Sequence, residues 1–304
     1  MRMLTLCLIA LLFDAPPARA VNACDMAHYP PVEQRYQRGL LFRIEQCNGP
    51  PSYLFGTVHL ARPEIIRAAG PAFEEIREVH AAGFEIGEPE QAIEAIARGY
   101  MLFPRNGADR LSALMGEKDF KRMLALFKNT PMQNLPFDMI RPWAVAAMIQ
   151  EIGEPEGSVL DEQLKQTATA LGKPVFGLET TEEQMQVLGG LPQDVQLRIL
   201  KDAIDEYDNI AREKKRLLAA YIAGDARAIM ASEEEMATDS KDRELDEMLR
   251  RRLLTDRNHR MEKRLLPHLQ GQSVLLSVGA LHLMGQEGLL HLLELDGYAV
   301  TPMP

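Results

Sequence analysis

The chain has 304 residues, is 46% hydrophobic and 26% charged, and carries a formal net charge of −10. That length suits one large domain or two small ones, with enough chain to bury a sizeable core. The acidic balance excludes nucleic acid and anionic membrane surfaces as partners, because both demand basic patches.

Arg2, the apolar run Leu4 to Phe13 and the small-residue site Ala18-Arg19-Ala20 read as a secretory signal over residues 1–20. The expectation is an exported protein, periplasmic in a two-membrane bacterium and otherwise secreted. It has no stable membrane insertion after cleavage, since no later apolar run is long enough to span a bilayer. Cys7 lies in the leader. Cys24 and Cys47 remain, and in an oxidising compartment they are expected to form a disulfide tying the N-terminal tail to the first hairpin.

Residues 39–48 and 52–56 read as strands around an Asn48-Gly49-Pro50-Pro51 turn. Pro63 opens a helix in which Ile65, Ile66, Ala69, Phe73 and Ile76 recur at helical spacing. Ala81 to Ile86 is a short strand with Glu85 near its end, which completes a βαβ unit. Residues 90–171 read as a helical insertion covering the sheet, with Pro142 in a first turn, Ser158 as a cap and Gly172 closing the last helix. Val175 to Leu178 is a strand ending in Glu179, and Thr181-Glu182-Glu183-Gln184 reads as a capping box. From 193 to 266 the chain is charged and helical. Tyr207, Ile210, Leu217 and Tyr221, then Leu245, Leu249 and Leu253, recur at near-heptad spacing. This predicts a long helical hairpin bending at Glu233-Glu234-Glu235, with its charges on a solvated surface. A strand at 273–278, a helix over 286–295, an Asp296-Gly297 turn and a last strand from Tyr298 close the chain. Residues 21–304 thus read as a single α/β domain.

One device occurs twice: Gly56-Thr57-Val58-His59 and Gly279-Ala280-Leu281-His282 each end an apolar strand. Glycine permits a sharp turn or a close backbone approach. The histidine then leaves the strand end, where α/β folds put their chemistry. Adjacent parallel strands would turn His59 and His282 toward one crevice. Glu85 and Glu179 also sit at strand ends. Imidazole nitrogen and carboxylate oxygen suit zinc, manganese, cobalt or iron, with a carboxylate left over from coordination as general base. Glu85 lies in an otherwise apolar strand, where a carboxylate is costly without a partner. Glu179 either joins the site or simply places negative charge near a helix N-terminus. Trp143, with Arg141 and Pro142, either lines a substrate cleft or anchors a helix start in a core. HExxH, GxSxG, a Walker loop and a dinucleotide fingerprint are all absent from the sequence.

The Gly56–His59 motif, Arg141-Pro142-Trp143, Gly172-Lys173-Pro174-Val175 leading to Gly177-Leu178-Glu179-Thr180, and Val278 to Leu283 followed by Gly285 and Gly297-Tyr298 together resemble the TraB/GumN family. That family is similar to the Tiki proteases and more distantly to the erythromycin-esterase and ChaN-like superfamily. The resemblance implies a mixed β-sheet core with two related βαβ-type halves. It places His59, His282, Glu85 and Glu179 in the active centre. It further implies an exported hydrolase, a peptidase using a divalent ion (Mn, Co or Zn) on a peptide or protein substrate. Where the family tends to carry an acidic residue after the strand glutamate, this chain has Gly87. The ChaN-like relatives imply a second reading, a periplasmic haem- or metal-binding protein without turnover. A third is a silent partner in envelope assembly that docks through the charged hairpin.

Overall fold

The computed structural model describes residues 36–46, 49–60, 62–104, 109–155, 157–231 and 242–303. The signal segment, Cys24, Cys47 and the Glu233–Glu235 bend lie outside the described residues.

The elements run β1 (Leu41–Glu45), β2 (Ser52–Thr57), α1 (Pro63–Ala68), α2 (Gly70–Glu78), β3 (Ala81–Ile86), α3 (Glu90–Met101), α4 (Leu111–Met115), α5 (Glu117–Phe127), α6 (Pro142–Gln150), α7 (Leu160–Ala170) and β4 (Val175–Glu179). They continue through α8 (Thr181–Gly189), α9 (Gln193–Asp205), α10 (Tyr207–Ile222), α11 (Arg243–Arg250), α12 (Asp256–Leu265), β5 (Val274–Gly279), α13 (Leu289–Leu295) and β6 (Ala299–Pro302). The six strands form one mixed sheet in the order β4-β3-β5-β2-β1-β6. β4, β3, β5 and β2 are parallel, while β1 pairs antiparallel with both β2 and β6.

The four parallel strands carry apolar side chains on both faces, as a sheet covered on both sides requires. Phe42, Leu54, Val274, Leu276 and Val278 pack under α12 and α13. Leu41, Phe55, Ala82, Phe84 and Leu275 pack under α1, α2, α7 and α10. A separate core inside the helical block gathers Met123, Phe127, Phe137, Trp143, Ile149 and Leu200. The charged stretch from 193 is helical. α9 joins the core of the helical block, while Tyr221 of α10 packs on one face of the sheet and Met261 and Leu265 of α12 on the other.

Two helix starts differ from the sequence pattern. Ser158 does not cap α7, whose N-cap is Val159 with no side-chain hydrogen bond. The capping box before α8 sits one residue earlier than expected. Thr180 accepts from Glu183 N–H, and the Glu183 carboxylate accepts from Thr180 N–H. The run Thr-Thr-Glu-Glu-Gln satisfies the motif in either frame, and the extended backbone of Thr180 selects the earlier one.

Strand order creates the site. The chain leaving β3 returns through α7 on one face of the sheet, whereas the chain leaving β5 turns into α13 on the other. Neighbouring parallel strands with diverging connections open a crevice at their carboxyl ends. β3 and β5 are such a pair.

Candidate active site

β2 and β5 pair in parallel with Gly56 opposite Val278 and Thr57 opposite Gly279, so the two glycine–histidine motifs lie side by side, one residue out of register. The offset explains both glycines. A Cβ on Gly56 would lie 2.6 Å from Leu283 Cδ1 and 3.1 Å from Ala280 Cα, where the 3₁₀ turn Ala280–His282 folds over β2. A Cβ on Gly279 would stand 3.2 Å from Glu85 Oε1. Each strand end clears space for groups from its neighbour.

The turn carries His282 inward, where it is 4% exposed. Its Nδ1 lies 2.6 Å from Asn258 Oδ1, and Asn258 Nδ2 donates to the Glu287 carbonyl at 2.7 Å. The second bond fixes which end of the amide faces His282, so Oδ1 accepts and Nδ1 carries the proton. Nε2 is left with a bare lone pair, 3.8 Å from Glu85 Oε1. Burial pushes the His282 pKa down to about 4, and Arg257 adds to the shift against the opposing pull of Glu85 and Glu179. The ring is therefore neutral at pH 7.

Glu85 accepts from Gly279 N–H at 2.7 Å on Oε1, and from Arg257 Nη2 at 2.5 Å and Gln184 Nε2 at 2.8 Å on Oε2. Burial alone would raise its pKa. The charge of His282 once it is protonated in acid, the field of Arg257 and the Gly279 hydrogen bond outweigh it and hold the carboxyl below its ordinary value. Glu179, 3% exposed, has both oxygens taken by guanidinium groups. Arg257 donates to Oε2 at 2.7 and 2.9 Å, and Arg260 to Oε1 at 2.6 and 3.2 Å. The buried carboxylate is thereby paired on each side.

His59 stands apart from this cluster. Its side chain is 76% exposed, with Nδ1 3.9 Å from Asp161 Oδ2. Asp161 reaches the crevice from the first turn of α7, where Thr57 donates to its Oδ1 at 2.6 Å. Burial raises the Asp161 pKa, the Thr57 bond opposes the rise, and the negative charge of Glu85 reinforces it. That mutual repulsion links the His59 side of the crevice to the His282 side.

Arg141 and Trp143 are not at the strand ends. Trp143 is 5% exposed in the core of the helical block, and Arg141 Nε donates to the Leu102 carbonyl at 3.1 Å. Residues that the sequence reading did not assign to the site bond its members instead: Arg257, Arg260, Asn258, Gln184 and Asp161. Arg257, Arg260 and Arg264 recur at the spacing of one helical face, and that is the signal that marked them. A π-turn over Arg251–Thr255 immediately precedes them, a distortion often found at functional sites.

A cavity of about 510 Å³ opens onto these groups. Thr57, Arg257, Gly279 and His282 line it at the sheet, and Val58, Leu217, Ile229, Leu249, Leu253, Leu254 and Leu281 give it apolar walls.

The whole arrangement lies inside the span of one family. The model of the TraB/PrgY/gumN family matches residues 40–302. The chain belongs to that family. Among curated relatives it is similar to Metalloprotease TIKI2 of Danio rerio, 25% identical over 358 residues that cover 99% of this chain and 67% of that protein. Metalloprotease TIKI1 of Danio rerio is 24% identical over 305 residues, 84% of this chain and 61% of the relative. Metalloprotease TIKI1 of Homo sapiens is 27% identical over 191 residues, 54% and 38% of the two chains. The chain thus spans about two thirds or less of the length of these relatives. No solved structure matches it.

The names of those relatives imply a metal ion. Among the described residues, no three His, Cys, Asp or Glu side chains converge as a ready metal cluster. The donor chemistry nevertheless fits. His282 Nε2 and Glu85 Oε1 face each other with a lone pair on both sides and no proton between them. Around a tetrahedral ion with metal bonds of about 2.0–2.2 Å, two donors stand about 3.3–3.6 Å apart. The 3.8 Å gap is slightly wider, so the two groups would close a little on an ion. Among the described residues, no helix is long and apolar enough to cross a membrane.

Proposed function

We propose that this TraB-family chain is an exported metal-dependent peptidase whose metal centre lies at the carboxyl ends of β2, β3 and β5. The observation that carries the reading is the neutral, bare-Nε2 His282 set against an ionised Glu85, at a strand switch point and at the floor of a cavity. His282, Glu85 and His59 would hold the ion. Bound there, a divalent ion polarises a carbonyl and lowers the pKa of a bound water.

The chain's own residues do the rest. Asn258 keeps the His282 proton on Nδ1 and Nε2 free. Arg257 holds Glu85 and Glu179 together through Nε and Nη2 and anchors Nη1 on the Leu253 carbonyl, which leaves one of its five N–H donors uncommitted beside the cavity. That donor suits a substrate carbonyl oxygen on which charge develops. Glu179, saturated by two arginines, serves as the anchor of that guanidinium rather than as a base. The aliphatic walls suit an apolar side chain flanking the bond to be cut.

The test is cleavage of a defined peptide library, read by mass spectrometry, after loading with manganese, cobalt or zinc. Cleavage that disappears with chelator, in Glu85→Gln and in His282→Ala is the expected result. No cleavage with any of the three ions, or full activity in either variant, would overturn the reading.

A further inference from the structure

α11, the π-turn Arg251–Thr255 and α12 run on as one helical rod, with right-handed helical backbone at each junction. One face of that rod walls the cavity, through Asp246, Leu249, Arg250, Leu253, Leu254 and Arg257. Arg257, at one end of the face, is held by Glu85 and Glu179, and Arg250 is already engaged. Asp246 stands at the other end. Its Oδ2 is buried with no hydrogen-bond partner. The helix start does not explain this acid, because Asp242 already caps α11 by accepting from Leu245 N–H at 3.2 Å. A buried charge without a partner is costly, and a cation supplied by a ligand removes that cost.

We propose that Asp246 selects the substrate, by receiving the cationic tip of a lysine or arginine side chain whose aliphatic stem lies along the leucines of this face. The inference rests on the peptidase reading above and narrows its substrate class to peptides with a basic residue near the cut. Such side chains bury a methylene stem against apolar surface and keep the charge at the tip. A row of leucines leading to one carboxylate matches that shape. The net charge of −10 favours the approach of a cationic peptide. Asp246 and Arg257 are three helical turns apart, about 16 Å along the axis. An extended peptide covers that length in about five residues, so the basic residue lies within about five positions of the bond cut. Asp246 thus forms a subsite apart from the apolar one beside the bond.

Binding is read first, by NMR titration of the purified chain with n-hexylammonium and with n-hexanol, which share a stem and differ in charge. The ammonium should bind at least about tenfold more tightly, as a hydrogen bond to a charged group implies. It should shift the signals of Leu249 and Leu253, and Asp246→Asn should abolish the difference. Equal binding of the two probes, or a difference that survives in Asp246→Asn, would overturn the proposal. Cleavage is read second, on acetylated peptides that carry lysine or its neutral counterpart norleucine at each position in turn. The metal-loaded parent should cut the lysine peptides at least about tenfold faster in kcat/KM, and Asp246→Asn should cut both alike. If the ammonium preference depends on Asp246 but no peptide is cut, the peptidase reading falls and the cation site stands. If peptides are cut without regard to lysine, that reading stands and the Asp246 assignment falls. A preference confined to peptides with free amino termini would also overturn it, since the recognised cation would then be the terminal ammonium. Should Asp246→Asn fail to fold, the lysine–norleucine comparison in the parent still decides.

Discussion

Asn258 Oδ1 takes the Nδ1 proton of His282 at 2.6 Å, and its own amide is pinned by the Glu287 carbonyl at 2.7 Å. A buried relay of this kind determines which imidazole nitrogen is available for chemistry. Replacing Asn258 with Leu removes the acceptor and leaves both His282 Nδ1 and the Glu287 carbonyl unpaired, at a cost of about 1–3 kcal/mol for each buried group. The expected signature is a mixed tautomer in the ¹⁵N NMR spectrum of His282, where the parent shows protonation at Nδ1 alone. A parent spectrum protonated at Nε2 would contradict the assignment outright.

Stability should fall as the solution is acidified, and His282 sets the window. Its pKa is 6.5 in the unfolded reference and about 4 in the fold, chiefly through burial. Between those values the unfolded chain takes up a proton that the folded chain refuses. The fold therefore loses stability as pH falls through this window, by about 3 kcal/mol in all, with nothing further to lose below it. His268, also lowered by burial, acts with the same sign. Glu85 acts later. Its folded pKa is below the ordinary 4.5, so its contribution is present above that value and is lost as pH drops through the folded one. Urea unfolding between about pH 7 and pH 4.5 checks this. The parent should show a pronounced decline that His282→Gln flattens, and equal slopes in the two would refute the buried neutral imidazole.

The local half of this site was readable from the sequence and the long-range half was not. Glu85, Glu179 and the two histidines follow short apolar runs, and a strand end is a local pattern. Nothing local says that β5 inserts between β3 and β2, which is what sets Gly279 against Glu85. The arginines were misjudged for a physical reason. Charges on a helix normally face water, yet Arg257 and Arg260 turn inward because Glu179, 78 and 81 residues earlier, is buried and needs them. Asp161 carries no local signal, because the group that holds it, Thr57, lies 104 residues earlier in the chain. Trp143 had two readings, and the packing of the helical block chose the core anchor.

The arginine pair should divide unequally. Arg257 bridges both buried carboxylates and its side chain is 11% exposed, whereas Arg260 touches only Glu179 and is 31% exposed. Arg257→Met strips Glu85 of its cation and leaves Glu179 half-paired, an uncompensated buried charge that costs about 3–5 kcal/mol. Arg260→Met leaves Glu179 its bond to Arg257 and should cost about 1 kcal/mol, given solvent screening. Denaturant midpoints measured side by side decide the order. Equal losses would mean that Glu179 alone, and not the three-way bridge, holds this corner together.

Gly87 offers the sharpest steric test. A Cβ there would lie 2.4 Å from Gly177 N and 2.8 Å from Phe176 C, both backbone atoms that cannot swing aside. Gly177 returns the constraint, since its own Cβ would lie 2.5 Å from Gly87 N. The two glycines thus let the chain beyond β3 press against β4, which keeps Glu85 and Glu179 close enough for one guanidinium to bind both. Gly87→Ala should destabilise the chain by about 2 kcal/mol through overpacking, and it should weaken metal binding by prising the carboxylates apart. Gly99, inside α3, is the matched control. A Cβ there meets nothing within 4 Å, so Gly99→Ala should stabilise by about 0.5–1 kcal/mol and leave metal affinity unchanged. If both substitutions prove neutral, close contact between the β3 and β4 ends is not what holds the two carboxylates together.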